Sequence, residues 1–322
     1  MKGWRFFFAV HIIACSFLAT APPPLLAQEH QHYRRLANLS SFEPIVMDAE
    51  NLYWSDSGFL WKLQKQDGEV QRLGPGISCC QIVYDSGYIY WISLGDIGRV
   101  STNKAKAETI VSGLRDSRFI AIGPTYIAWV TDGYGKPEGG FVQTVSRSGG
   151  RTVATIAGNQ RTSNFGGIAA DGDVIYWIES LTGYVMRMAI GEKGPTVLCR
   201  QCAGEELLQD KDYLYSIREQ SIVQIDKHRG NFKTLYQAPR RPYMSIDSIA
   251  VDSDYVYFTS WSKRDQATGV IGRLSKAGGK AQIIETSLNA PNYIIVDSKS
   301  VYFVDYNPNS KGAFVGAVTK PQ

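Results

Sequence analysis

Apolar positions in this chain fall in short runs, alternating or continuous, broken by clusters of Gly, Asp, Asn and Ser, and no long stretch carries an apolar face at helical spacing. Such runs predict strands. One block recurs along the chain: "IVYDSGYIYWIS" from Ile82, "IAADGDVIYWIE" from Ile168, "IAVDSDYVYFTS" from Ile249 and "IIVDSKSVYFVD" from Ile294. An apolar run, an acidic turn and a second run rich in aromatics read as a hairpin. Its recurrence makes that hairpin the first half of a repeating unit.

Seven units can be placed, starting at Ile45, Ile82, Ile120, Ile168, Leu207, Ile249 and Ile294. Each holds two further runs, such as "GVIGRLS" at 269–275 and "KAQIIET" at 280–286. Four strands in roughly forty residues, repeated without helices, predict an all-β fold, a seven-bladed β-propeller with four-stranded blades. A linear solenoid would need polar capping repeats at its ends. This chain has a different device: its seventh unit stops before a fourth strand, while "YRRLANLSSFEPIVMD" (33–48) parallels "VQRLGPGISCCQIVYD" (70–85). Tyr33 to Asn38 is therefore expected to pair with Ala313 to Thr319 and close the ring.

Within the second strands, Tyr53-Trp54-Ser55-Asp56, Tyr90-Trp91-Ile92-Ser93, Tyr176-Trp177-Ile178-Glu179 and Tyr302-Phe303-Val304-Asp305 resemble the YWTD repeat of low-density-lipoprotein-receptor-type propellers and of secreted bacterial propellers. The receptor-type propellers have six blades where this chain has seven units. The resemblance implies binding or scaffolding rather than catalysis. Aromatic residues demanded in nearly every unit answer a need that every blade shares, so they are read as core wedges between sheets and not as a sugar-stacking platform.

The first strand of six units ends on Asp48, Asp85, Asp171, Asp210, Asp252 and Asp297, with Gly123 in the remaining one. These are read as turn residues that cap their own backbone, because the further ligands of a calcium loop are missing. Lys62, Arg99, Arg187 and Arg273 share one position of the third strand and are expected to be solvated cations spread around the side wall.

The N-terminus adds an address. Lys2 and Arg5, an apolar stretch from Phe6 to Leu18 and "APPPLLAQ" fit a signal peptide over residues 1–27, leaving residues 28–322 as one domain. The same apolar stretch is too short for a membrane span. Ile12-Ile13-Ala14-Cys15 offers a second reading, a lipid anchor on Cys15. The expected location is periplasmic or extracellular. Without residues 1–27 the count of bases is 34 − 2 = 32 against 30 acids. Such a balance excludes nucleic acid as the main partner.

Four cysteines remain after the signal. Cys199 and Cys202 are expected to form a local disulfide in an oxidising compartment, since Cys-x-x-Cys away from a helix start lacks the setting of a redox centre. Cys79 and Cys80 admit a vicinal bridge or two thiols. A third-position His30 after cleavage could offer a Cu(II) or Ni(II) site, unless Gln28 cyclises. Only His30, His32 and His228 remain in the mature chain, and none adjoins a nucleophile motif, so no catalytic residue is assigned.

Two candidate sites follow from strand register. The residue two before each unit start should stand at one rim of the channel: Glu43, Cys80, Arg118, Gly166, Glu205, Asp247 and Asn292. Glu205, Asp247, Asn292 and Glu43 come from consecutive blades and are oxygen donors of the kind Ca²⁺ accepts, which is the basis of an enzyme reading, a metal-dependent lactonase or lyase. The long loops form the second site. Tyr134, Arg241, Tyr243, Trp261, Arg264 and Tyr306 give one face the aromatic and Arg content of a binding surface. The sequence thus favours an exported, monomeric binding module for a protein or glycan, without a required cofactor. The enzyme reading stands second, and a structural cell-envelope component third.

Overall fold

The computed structural model describes residues 33–40, 43–74, 81–93, 95–104, 106–131, 140–149, 154–160, 165–239, 244–262, 264, 268–309 and 312–321. Among these residues there are strands and no helix, and the strands form seven four-stranded antiparallel sheets. The inner strands are Ile45–Met47, Gln81–Asp85, Ser117–Ile122, Phe165–Asp171, Leu207–Gln209, Ser245–Val251 and Ala290–Val296. Each touches the next and the last touches the first, so the blades, numbered 1 to 7 in this order, close a ring. The fold is a seven-bladed β-propeller.

Six sheets are simple meanders; blade 7 takes its outer strand from the other end of the chain. Tyr33–Leu39 pairs antiparallel with Gly312–Thr319, from Tyr33 opposite Val318 to Leu39 opposite Ala313, with a register shift between Arg35 and Ala37. Backbone hydrogen bonds thus join the first and last described strands, and no blade lacks its fourth strand.

Each second strand is buried on both faces because it sits between two neighbouring sheets. In blade 6, Phe258 packs toward Tyr215 and Ile222 of blade 5, while Tyr257 packs toward Ile294 and Phe303 of blade 7. Trp177 and Tyr176 divide in the same way between blades 3 and 5. The flat ring facing the preceding blade needs room on its own sheet. Gly98, Gly272 and Gly316 supply it, lying cross-strand from Trp91, Phe258 and Phe303 where a β-carbon would overlap the ring.

The tyrosine facing the following blade carries its hydroxyl to the end of the inner strand. Asp252 shows the arrangement. Its Oδ1 accepts the amides of Asp254 at 2.9 Å and Tyr255 at 2.8 Å, and its Oδ2 accepts the hydroxyl of Tyr257 at 2.8 Å and the ammonium of Lys320 at 2.6 Å. Lys320 belongs to the next blade and lies 4.8 Å from the Tyr257 ring centre. The pairs Lys65 with Asp297, Arg147 with Asp85, Lys227 with Asp171 and Lys276 with Asp210 repeat the crossing. In every case the cation is the first residue after a third strand, and its carboxylate belongs to the preceding blade.

Two junctions depart from this plan. Between blades 3 and 4, Gly123 replaces the carboxylate, Ala128 the tyrosine and Ile190 the cation, so all three members change together. The Tyr126 ring covers Gly123 instead, and its hydroxyl donates to the carbonyl of Gly172 at 3.0 Å. Between blades 1 and 2, Asp48 keeps Tyr53 at 2.6 Å, but Thr102 stands where the cation would be.

At Asp210, Asp252 and Asp297 the turn reading therefore covers one carboxylate oxygen only; the other ties blade to blade. The expected solvated cations also need correction. Arg273 is 6% exposed, donates to Gln282 Oε1 at 2.9 Å and to the carbonyl of Pro321 at 2.8 Å, and its guanidinium sits 4.3 Å from the Tyr255 ring centre. Arg99 bonds Glu108 and the carbonyl of Arg147, and Lys62 and Arg187 are half-buried. These side chains lie along the sheets because their aliphatic stems cover apolar surface. Cys199 and Cys202 form a disulfide, with both residues buried among Leu207, Leu214 and Val223. Cys15, His30, Cys79, Cys80 and the segment 1–27 lie outside the described residues. No helix among the described residues is long and apolar enough to cross a membrane.

Three outcomes are expected. Lys227 is 2% exposed and Asp171 48% exposed; Lys227→Met leaves a carboxylate that water can reach, so it should cost about 1–3 kcal/mol in chemical denaturation, short of a fully buried charge. Thr102→Lys should add up to about 1 kcal/mol by giving Asp48 its missing partner. Burial by itself raises the Asp252 pKa, but the Lys320 ammonium, the two turn amides and the Tyr257 hydroxyl outweigh it and hold the carboxyl at about 2. Asp210 and Asp297 are lowered in the same way, and Asp48 by Tyr53 and its turn amides without a cation, each against the opposing effect of burial. Depressed carboxyls stabilise the fold above the unfolded value and lose that contribution as pH falls toward their folded pKa. Lys320→Gln should move the acid-unfolding midpoint, followed by circular dichroism, to higher pH.

Candidate functional site at the channel mouth

The inner strands enclose a cavity of about 860 Å³. Half-buried apolar side chains, among them Val46, Val83, Leu208, Val251 and Ile295, form its wall. Glu205, Glu206, Asp247, Asn292 and Tyr293 stand near the starts of the inner strands of blades 5, 6 and 7 and line the same cavity. Its charged lining residues are Glu205, Glu206 and Asp247; among the described residues that line it there is no Lys, Arg or His.

Backbone irregularities shape this end. Arg118 is the extra residue between the pairs Ser117 with Thr131 and Phe119 with Val130. Asp247 is the extra residue between the pairs Ile246 with Ser260 and Ser248 with Thr259. Register also shifts between Phe165 and Ile168 and between Asn292 and Ile295, where Tyr293 has a φ of 47°. Bulges re-aim side chains. Strict alternation from the unit starts therefore does not fix where the rim residues point. Asp247 Oδ2 accepts the hydroxyl of Ser245 at 2.8 Å, and Asn292 Oδ1 accepts the amide of Tyr293 at 2.7 Å.

The residue immediately before the unit start has a structural task that register arguments missed. Gln81 Oε1 accepts the amide of Ile120 at 2.8 Å, and Glu206 Oε2 accepts the amide of Ile249 at 2.9 Å. In both cases a channel side chain caps the inner strand of the following blade. The visible signal was the pair of long polar side chains at one register position. Glu206 has the hydroxyl of Ser248 as a second donor, at 3.4 Å. Burial pushes its carboxyl up to about 7, against the partial lowering by Ile249 and Ser248 and with a further rise from Glu205.

Glu205, Asp247 and Asn292 thus share the cavity lining, whereas the half-buried Glu43 is not among its lining residues. Among the described residues no three His, Cys, Asp or Glu side chains come together to hold a metal ion. Of the four donors expected from register, three thus share one cavity, and bulges at Asp247 and beside Asn292 alter the alternation on which that expectation rests. Of the loop residues, Trp261 ends a second strand opposite Ser245, and Tyr306 lies opposite Ala290 in the next blade, which puts both at the same end of the sheets as the mouth. Both are half-buried, Arg264 is exposed, and Tyr134, Arg241 and Tyr243 lie outside the described residues.

No family model matches the chain, and no curated protein does. Solved structures share the fold. The extracellular domain of a hybrid two-component system from B. thetaiotaomicron is 14% identical at a TM-score of 0.63, over 88% of this chain and 39% of that one. This chain therefore spans about two fifths of that protein. An oligogalacturonate lyase in complex with manganese is 10% identical at a TM-score of 0.66, over 89% of this chain and 93% of the other. BamB from Moraxella catarrhalis is 12% identical at a TM-score of 0.52, over 86% and 85%. At these identities the likeness is one of architecture.

The raised Glu206 pKa has a testable sign. A carboxyl raised above its unfolded value stabilises the fold below that value and loses its contribution as pH rises through the folded pKa. The melting temperature of the wild type should include a component that falls from pH 5 to pH 8, and Glu206→Gln should remove that component.

Proposed function

We propose that this protein is an exported binding module that takes its ligand at the channel mouth and on the loop face around it. The observation that carries the reading is the cavity of about 860 Å³ with an apolar wall and a few polar groups at one end, the usual character of a small-ligand or side-chain pocket. Trp261, Arg264 and Tyr306 add contact chemistry beside it, and Tyr134, Arg241 and Tyr243 are proposed as further members from the long loops. The buried Cys199–Cys202 disulfide supports an oxidising compartment, the periplasm or the exterior. The YWTD-like second strands add the precedent of secreted propellers that bind partners.

A thermal-shift screen of small organic solutes and short peptides tests the reading, run on the wild type, on Leu208→Trp, which fills the channel, and on the Trp261→Ala, Arg264→Ala double variant. Ligands of the wild type should lose at least tenfold in affinity in the channel-filling variant, and peptide ligands should weaken several-fold in the loop variant. Both variants should keep the wild-type circular dichroism spectrum. Hits that all survive both changes would sink the proposal.

A further inference from the structure

We propose that the channel mouth recognises its ligand through a cationic group, an ammonium or guanidinium carried on an apolar stem. This deepens, and rests on, the reading of the mouth as a binding site. The contrast within the molecule is the first ground. At five blade junctions an aspartate holds a Lys or Arg of the next blade. Glu206, half-buried on the channel wall, receives hydrogen bonds from neutral donors, an amide at 2.9 Å and a hydroxyl at 3.4 Å. A carboxylate has room for about four donors. Half-buried on an apolar wall, with neutral donors only, it is the kind of group that an incoming cation stabilises.

A second atom in the same channel asks for a donor. Gln209 lines the cavity and gives its Nε2 to the carbonyl of Ala170, while its buried Oε1 has no hydrogen-bond partner. The two groups are acceptors along one wall, between blades 4 and 6. The remaining charges on the lining, Glu205 and Asp247, are also negative, and this in a chain with a formal net charge of +4. Acidic character at the mouth is therefore local, not a reflection of composition.

The apolar wall chooses among cations. An inorganic ion needs several oxygen ligands converging on one point, and no three acidic side chains among the described residues do so. An organic cation needs separated acceptors for its N–H groups and an apolar surface for its stem. Glu205, Glu206 and the wall of Val46, Leu208, Val251 and Ile295 offer that combination. A free amine and a basic side chain of a peptide share this chemistry.

Isothermal titration calorimetry with hexylammonium, hexanol, agmatine and the blocked peptide acetyl-Ile-Arg-Ile-amide decides the matter. The cations should bind and hexanol should bind at least tenfold more weakly; the relative affinities of agmatine and the peptide tell a free amine from a side chain. Affinity should rise between pH 5.5 and pH 8 as Glu206 ionises, with Glu205, Asp247, Tyr84 and Tyr293 the other titratable residues on the lining. Glu206→Gln should weaken hexylammonium about tenfold or more. The exposed Glu205→Gln, which cannot disturb the fold through Ile249, should weaken it several-fold. Equal binding of hexanol and hexylammonium, or wild-type affinity in both variants, would overturn the inference. If no cation binds while other ligands still depend on an open channel in Leu208→Trp, the cation inference falls and the binding reading stands. If hexylammonium binds Leu208→Trp as well as the wild type, both fall.

Discussion

The ring depends on a contact made between blades, at the aspartate that ends an inner strand. Asp210, Asp252 and Asp297 are each held at once by their own turn, their own blade's tyrosine and a cation from the next blade. One oxygen of Asp252 is spent on the amides of Asp254 and Tyr255, so the turn is fixed before the neighbour arrives. The other oxygen, positioned by the Tyr257 hydroxyl, is presented to Lys320. Lys65 and Lys227 reach further, donating also to the carbonyls of Asp48 and Asp210 in their own blades. Local turn geometry and inter-blade attachment are thereby one interaction, and the cation is fully used by stacking over the tyrosine ring. The coordinated replacement at Gly123, Ala128 and Ile190 supports this. When the carboxylate goes, neither the tyrosine nor the cation has a reason to remain.

That attachment leaves the two ends of the propeller with different work. At the end carrying the aspartates, negative charge is neutralised within the molecule at five of seven junctions. At the opposite end Gln81 and Glu206 accept backbone amides from the inner strand of the following blade, and the amide of Gly167 bonds the carbonyl of Glu205 at 2.6 Å. Bulges in several inner strands loosen the side-chain alternation there. A regular base and an irregular mouth let loops and bulges vary without disturbing the cores between sheets.

Architecture and chemistry therefore separate cleanly. Propellers similar to this one include the extracellular domain of a two-component system and a lyase, and the ring by itself favours neither role. What distinguishes this chain is the content of its channel, polar acceptors on an apolar wall, and the proposed ligand follows from that pairing.

Much of the fold was legible in the residues. Unit starts such as Ile168 and Ile249, the seven blades and the pairing of Tyr33 to Leu39 with the last blade follow from periodicity, because every blade must bury the same aromatic wedge and leave no open edge. The turn role of Asp210 or Asp297 was equally local, since an Asx turn needs only the next three residues. The second role of those aspartates was not, for Lys276 stands 66 positions from Asp210 and Lys65 stands 232 from Asp297. Nor could register place the mouth. Asp247 and Tyr293 sit at bulges, and a single inserted residue reverses the direction of a side chain. Sequence by itself determined the repeat and hence the ring, because periodic burial is written in consecutive residues. Only tertiary structure decided which charges are neutralised and which are left facing the channel, because that depends on the distance between side chains of different blades.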